Sequence, residues 1–470
     1  MPLRERILGC ALITIAACSD RPAMTGTEGT TGSAASTGAE PSSGDAPTGP
    51  TAPTMSATDT SAASETAGPT GDPTTEASTE ATTVEPVETT SGPPGTTSTG
   101  VDGTSSTGLD QTTGEPPVPA CPSNCEDPVT LRGDLTIKPG DSTTDLICVT
   151  RITGNLTIDG DLDEAALLNL SGLEQVDGVL RIQDNNVLTG LAPFGCLREV
   201  DEVLLLGLPA LVDVSALEGL EKLGSFRTIL TGAPLPKLVG KPLGLHRIEL
   251  SSNPTLADLD ALATWTGGAD TFEVALFDMP ALTDVSGLAA LLADPAPAER
   301  RIWFDGLPKL ASLAGLEPVI AANWIVLEDL PLIADLGPLA KLESAGQLAL
   351  IGMPLVKSLK GLGKVKTAQW LFLGGCVNGW PESGGMAGLT SLAGLDALTS
   401  VEVLAVVNSA KIDSLAGAPA LKAAQNVQII ADPQLVKADV DALIAQLGQA
   451  PMEQCFGDWD KCHCIEIIPP

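Results

Sequence analysis

Tyrosine is absent from this 470-residue chain, histidine occurs twice, and aromatic residues make up only 3% of it. Positive charge is scarce too: 25 Lys and Arg stand against 59 Asp and Glu, a net charge of −34. Such a chain has nothing with which to neutralise a run of phosphates, so nucleic acid is excluded as a partner. A basic patch for an anionic membrane surface is missing as well. With His246 and His463 alone, a His-rich metal site or a Ser-His-Asp triad has few places to sit. Dinucleotide fingerprints, phosphate loops, zinc-protease motifs and nucleophile elbows do not occur. No catalytic residue, metal or cofactor is expected.

Long apolar runs are also lacking, with one short exception at the start. Two arginines, Arg4 and Arg6, precede the stretch Ile7–Ala17, which ends at Cys18. Eleven residues match a signal-peptide core and fall short of the roughly 20 needed to span a bilayer. The run Ile15-Ala16-Ala17-Cys18 resembles the bacterial lipobox. That resemblance implies cleavage before Cys18, acylation of its sulfur, and a partner in the membrane; several acyl chains give a stable anchor where one would not.

Residues 18–120 contain little that can form a core. About 65 of residues 21–120 are Ser, Thr, Gly or Pro, about 13 are acidic, and a single Arg is basic. Such a segment cannot bury enough apolar surface to offset its chain entropy, so it reads as a disordered tether.

From about residue 150 one pattern is rewritten again and again. Arg247-Ile-Glu-Leu-Ser-Ser-Asn-Pro254, Glu273-Val-Ala-Leu-Phe-Asp-Met-Pro280 and Arg301-Ile-Trp-Phe-Asp-Gly-Leu-Pro308 are three copies. Pro209, Pro234, Pro254, Pro280, Pro308, Pro331 and Pro354 are spaced 25, 20, 26, 28, 23 and 23 residues apart. A period of 20–29 residues with recurring Leu-x-x-Leu marks leucine-rich-repeat-like coils. Each coil predicts a short strand with alternating inward apolar residues, as in Ile248-x-Leu250. A proline then ends the strand, and a glycine permits the next corner. No coil closes its own core, so the leucines lose water only by stacking.

Ile152-Thr-Gly-Asn-Leu-Thr-Ile158 and Leu173-Glu-Gln-Val-Asp-Gly-Val-Leu-Arg-Ile182 resemble the receptor L domain, the leucine-rich β-helix of insulin- and EGF-type receptors. The resemblance covers roughly residues 120–450. It implies a mainly β fold: a right-handed β-solenoid of about twelve coils from Leu156 to Ile430, preceded by the tether. The copies Thr228–Pro234 and Gln369–Cys376 depart from the pattern, and 376–388 reads as an inserted Gly-rich loop. The expected organisation is a signal peptide over 1–17, tether 18–120, Cys-containing cap 121–155, solenoid 156–438, and a helix with a second Cys-containing cap over 439–470.

Setting aside Cys10 and Cys18 leaves eight cysteines: Cys121, Cys125, Cys148, Cys196, Cys376, Cys455, Cys462 and Cys464. An even number placed towards the two ends fits disulfide caps in an oxidising envelope, with the connectivity open. The spacing of Val440, Leu443, Ile444 and Leu447 predicts a helix that lids the last coil. Asp159–Glu164 starts like a calcium loop but has Glu164 where the turn glycine belongs. Cys462-His463-Cys464 lacks the second pair a zinc site uses. Both are read as structural, and so is His246.

Aligning the copies on their prolines puts one outward side chain per coil into a column. It reads Arg181, Leu204, Ile229, Glu249, Ala275, Trp303, Val326, Ala349, Phe372, Ala405 and Gln428, and is apolar from Ala275 to Ala405. A water-facing strand surface ordinarily carries polar residues, so the stripe marks either a binding surface, with Trp303, Val326 and Phe372 as its residues, or a face covered by a loop such as 376–388 or a second copy. The expectation is therefore a lipid-anchored, non-catalytic recognition or adhesion protein of the cell envelope, at the outer membrane or cell surface, with an envelope protein or glycan as ligand. A structural spacer without ligand and a carbohydrate-active β-helix enzyme are the alternatives.

Overall fold

The computed structural model describes Cys121, Cys125 and residues 127–238, 242–267, 271–293, 299–375 and 384–457. The signal peptide, Cys18, the tether, Cys376, Cys462 and Cys464 lie outside the described residues.

The structure is mainly β, with one large parallel sheet of 16 strands, the arrangement a β-solenoid requires. Its strands in chain order are β1 (Val129–Leu131), β2 (Leu135–Ile137), β3 (Val149–Ile152), β4 (Leu156–Asp159), β5 (Gln175–Gln183), β6 (Glu199–Leu208) and β7 (Lys222–Thr231). After a small separate pair, β8 (Pro242–Leu245) and β10 (Thr266–Gly267), the ladder continues through β9 (Arg247–Ser251), β11 (Thr271–Phe277), β12 (Glu299–Asp305), β13 (Ala321–Glu328) and β14 (Ser344–Ile351). It ends with β15 (Thr367–Leu373), β16 (Ser400–Val407), β17 (Ala423–Ile430) and β18 (Glu453–Gly457). The ladder therefore runs beyond 156–438 at both ends.

Alternation within the central strands sends apolar side chains inward. One inward column runs Leu180, Val203, Phe226, Ile248, Val274, Ile302, Ile325, Leu348, Leu371 and Leu404, all at 0–1% exposure. Leucines of the return segments, such as Leu310, Leu313 and Leu316, complete the same core. Trp265 fills a corner beneath β7: its ring meets Phe226 edge-on at 5.3 Å, and its Nε1 donates to the Pro236 carbonyl at 2.9 Å.

Proline does not end the strands. A residue in the left-handed region does so two positions earlier at Ser252, Asp278, Gly306, Asp329 and Gly352 (φ 49 to 68°), ahead of Pro254, Pro280, Pro308, Pro331 and Pro354, while Gly207 (φ 64°) bends β6 one residue before its end, ahead of Pro209. Leu230 (φ 56°) holds the same corner but precedes Pro234 by four residues. Aligning on Pro234 therefore slips that repeat by two, and Arg227, not Ile229, pairs with Leu204 and Glu249. The return side closes on glycines. At Gly361 a Cβ would lie 1.9 Å from the Leu336 carbonyl oxygen, so the neighbouring repeat approaches backbone to backbone.

The predicted helix is α3 (Lys437–Gln446), after the single-turn α1 (Glu164–Leu167) and α2 (Ala289–Leu292). It buries Val440 and Leu443, and Leu447 follows it into the core. It forms the return between β17 and β18, so it is not the last layer. Two disulfides join the expected cysteines at the N-terminal end, Cys121–Cys196 and Cys125–Cys148. Cys455 is also disulfide-bonded, to a residue outside the described ones. No helix among the described residues is long and apolar enough to cross a membrane.

Candidate functional site

The outward face of the sheet presents three columns of side chains. The middle one, in observed register, reads Arg181, Leu204, Arg227, Glu249, Ala275, Trp303, Val326, Ala349, Phe372, Ala405, Gln428 and Cys455. Two residues earlier on each strand stands a second column that alignment on prolines does not reveal: Glu202, Ser225, Arg247, Glu273, Arg301, Trp324, Gln347, Trp370, Val403 and Asn426. Reading position i−2 beside each outward residue would have found it. The third contains Phe277, Asp305, Glu328 and Ile351, then Val407, Ile430 and Gly457.

This face changes character between β12 and β13. On the N-terminal side an ion lattice crosses five strands. Glu202 meets Arg227 at 3.2 Å, and Arg227 meets Glu249 at 2.9 Å. Glu249 holds Arg247 at 2.8 Å, which reaches Glu273 at 3.4 Å. Arg301 closes the series between Glu273 and Glu299, at 3.9 and 3.3 Å. Burial by itself would lower the Arg227 pKa, but hydrogen bonds and charge from Glu249 and Glu202 outweigh it and raise the value. Alternating signs on neighbouring strands make a closed lattice in which no member on the sheet lacks a counter-charge.

On the C-terminal side the same columns are aromatic and aliphatic. Val326, Ala349, Ile351, Phe372, Val403, Ala405, Val407 and Ile430 form a second apolar cluster separate from the core, against which Trp303, Trp324 and Trp370 pack. Trp303 meets Phe277 edge-on at 5.0 Å, and Trp370 meets Phe372 at 6.3 Å. Of the three predicted ligand residues, Trp303 is half-buried, while Val326 and Phe372 are each 1% exposed. All three stand in one column. Gln347 lies between Trp324 and Trp370; it is 2% exposed, and neither its Oε1 nor its Nε2 has a hydrogen-bond partner. The buried Trp303 Nε1 is likewise unpartnered. Each such group costs about 1–3 kcal/mol relative to a satisfied one.

The carboxylates of the calcium-loop-like segment take structural roles, while Cys462-His463-Cys464 lies outside the described residues. Asp163 Oδ1 caps α1 by accepting from Ala166 N at 2.9 Å, Asp161 accepts from Asn186 N at 2.7 Å, and Asp159 pairs with Lys138 at 3.1 Å. His246 is exposed on the strand edge. Among the described residues no group of three or more His, Cys, Asp or Glu could hold a metal ion. The chain matches no protein-family model, and no curated protein matches it in sequence.

Proposed function

We propose that this chain is a lipid-anchored cell-envelope protein in which a disordered tether displays a receptor-L-like solenoid of about twelve coils for recognition or adhesion, without catalysis. The observation that carries the recognition reading is the Trp324–Gln347–Trp370 column. Two half-buried tryptophans stand in register on either side of a buried amide with both polar atoms unsatisfied. Flat rings for stacking beside a single directional amide suit a glycan or a peptide from an envelope protein. The short apolar run ending in Ile15-Ala16-Ala17-Cys18 supports the anchor, at the outer membrane or cell surface.

An array of glycans and envelope proteins probed with the purified chain tests this reading. Binding that falls in Trp324→Ala, Trp370→Ala and Gln347→Ala, while Arg227→Ala retains it, is the expected result. Absence of binding across the array would favour a spacer role, which the burial of Val326 and Phe372 supports. The anchor is tested by mass spectrometry of the mature N-terminus, which should carry diacylglycerol on Cys18 and lose it in Cys18→Ser.

A further inference from the structure

A cleft opens near the start of β13, β14 and β15. Ala322, Ala345 and Ala368 are in register across these strands, and so are Trp324, Gln347 and Trp370 two positions later. Between the two rungs, Asn323, Gly346 and Gln369 drop out of the pairing. The middle position has to be glycine: an added Cβ would lie 2.5 Å from the Asn323 carbonyl oxygen. With no side chain there, and only alanine or serine at 321, 322, 344 and 345, the surface dips into a cleft of about 530 Å3. Asn323, Trp324, Ser344, Gly346 and Gln369 line it beside three alanines.

No residue of this lining is charged. Asn323 and Ser344 are half-buried and Gln369 is exposed; among the described residues none of their side chains has a hydrogen-bond partner. An amide sets donor and acceptor side by side, and a serine hydroxyl serves as either. Neighbouring hydroxyls on a sugar ring need that pairing, and the C–H face of the ring suits an indole. Charge narrows the choice further. The chain's −34 repels an acidic glycan, and the cleft has no carboxylate to hold a cationic one. A peptide fits less well. β13, β14 and β15 are each paired on both sides, so no edge is open for strand addition, and no arginine cluster lines the cleft. Asn323 and Gln369 stand two strands apart, roughly 10 Å, which is wider than a single sugar ring.

The geometry points to a neutral oligosaccharide as the ligand, held in this cleft with one ring against Trp324 and its hydroxyls on Asn323, Ser344 and Gln369. The inference rests on the recognition reading above and narrows its ligand. It places the polar contacts on side chains open to water, beside the buried Gln347.

Calorimetric titration and tryptophan emission of the full chain test this. The probes are neutral tetrasaccharides of glucose, mannose, galactose, xylose and N-acetylglucosamine, the matching monosaccharides, tetragalacturonate, the glucosamine tetramer and a proline decapeptide. At least one neutral tetrasaccharide should bind and shift the emission, with its monosaccharide much weaker. Asn323→Ala and Gln369→Ala should each reduce that affinity by about five- to tenfold. Neither should move the thermal midpoint, because both side chains reach water. Undiminished affinity in the double variant would overturn the cleft. Binding confined to tetragalacturonate, the glucosamine tetramer, the peptide or an envelope protein would also overturn it, yet leave the recognition reading standing. Silence from every probe and every envelope protein would end both.

Discussion

Arg227 grips Glu249 across adjacent strands with two hydrogen bonds, Nε to Oε2 at 2.9 Å and Nη2 to Oε1 at 3.3 Å. The forked guanidinium satisfies both carboxylate oxygens at once, which an ammonium cannot do. Glu249 is 8% exposed, so removal of Arg227 leaves a nearly buried charge held by Arg247 alone. Arg227→Ala should cost about 2 kcal/mol of stability in denaturant unfolding, with Arg227→Lys recovering only part of it. A double-mutant cycle with Glu249→Gln should show coupling between the two positions, because removing both leaves neither charge alone.

The corner residues make opposite predictions at two positions. Leu230 sits at φ 56° with 41% of its surface exposed, so it bears left-handed strain while burying little. Asn408 takes the same corner at φ 55°. Leu230→Asn should therefore raise stability by about 0.5–1 kcal/mol. Gly361→Ala should lower it by about 3 kcal/mol, since the Leu336 backbone that the new Cβ would strike is held by its own repeat. Thermal melts of the two variants beside the parent chain check both signs.

Asp432 supplies the pH dependence. Burial pushes its carboxyl up to about 7, against the weaker downward pull of hydrogen bonds from the Ser409 and Ile430 backbone. The Ser409 N–H donates to Oδ1 at 2.7 Å, while Oδ2 is buried without a partner. A carboxyl whose folded pKa is raised favours the protonated folded state. Its contribution is therefore largest below pH 4, declines as pH rises towards 7, and is flat above that; the whole swing is a few kcal/mol. Asp432→Asn should match the parent in acid and exceed it at pH 8, as unfolding midpoints measured from pH 4 to pH 8 will report.

Cys125–Cys148 closes a segment with a sequence separation of 23, for which chain entropy gives about 3 kcal/mol. Cys125→Ser with Cys148→Ser should lower the stability of the unreduced protein by about that amount. Adding reductant should then narrow the difference between parent and variant.

The inward half of this fold was legible because it is a simple periodicity. Pairs such as Ile248 and Leu250, or Leu348 and Leu350, declare an inward face in any copy. The corner was harder to read. Its requirement is a left-handed backbone, and Gly, Asp, Ser, Asn, Leu and Ala all meet it, so no residue type marks it. Proline served as a proxy until Pro234, where two extra residues displaced it and put Ile229 in the place of Arg227. The ion lattice and the Trp324–Gln347–Trp370 column were missed for another reason. They run perpendicular to the chain, between residues 22 to 28 positions apart, and become visible only when all outward positions of each strand are stacked. The enclosure of Phe372 and Ile430 leaves no trace in their local pattern, because a buried outward residue and an exposed one have the same spacing.

The bond between Cys121 and Cys196 spans 75 residues and joins the start of the described chain to the segment just ahead of β6. Mechanical tension arriving from the N-terminal side has a covalent bypass there, so the strands β1 to β5 hang in a slack loop that bears no load. With that cross-link intact, traction on the molecule is first felt at β6; once it is cut, the earliest strands would peel away one at a time.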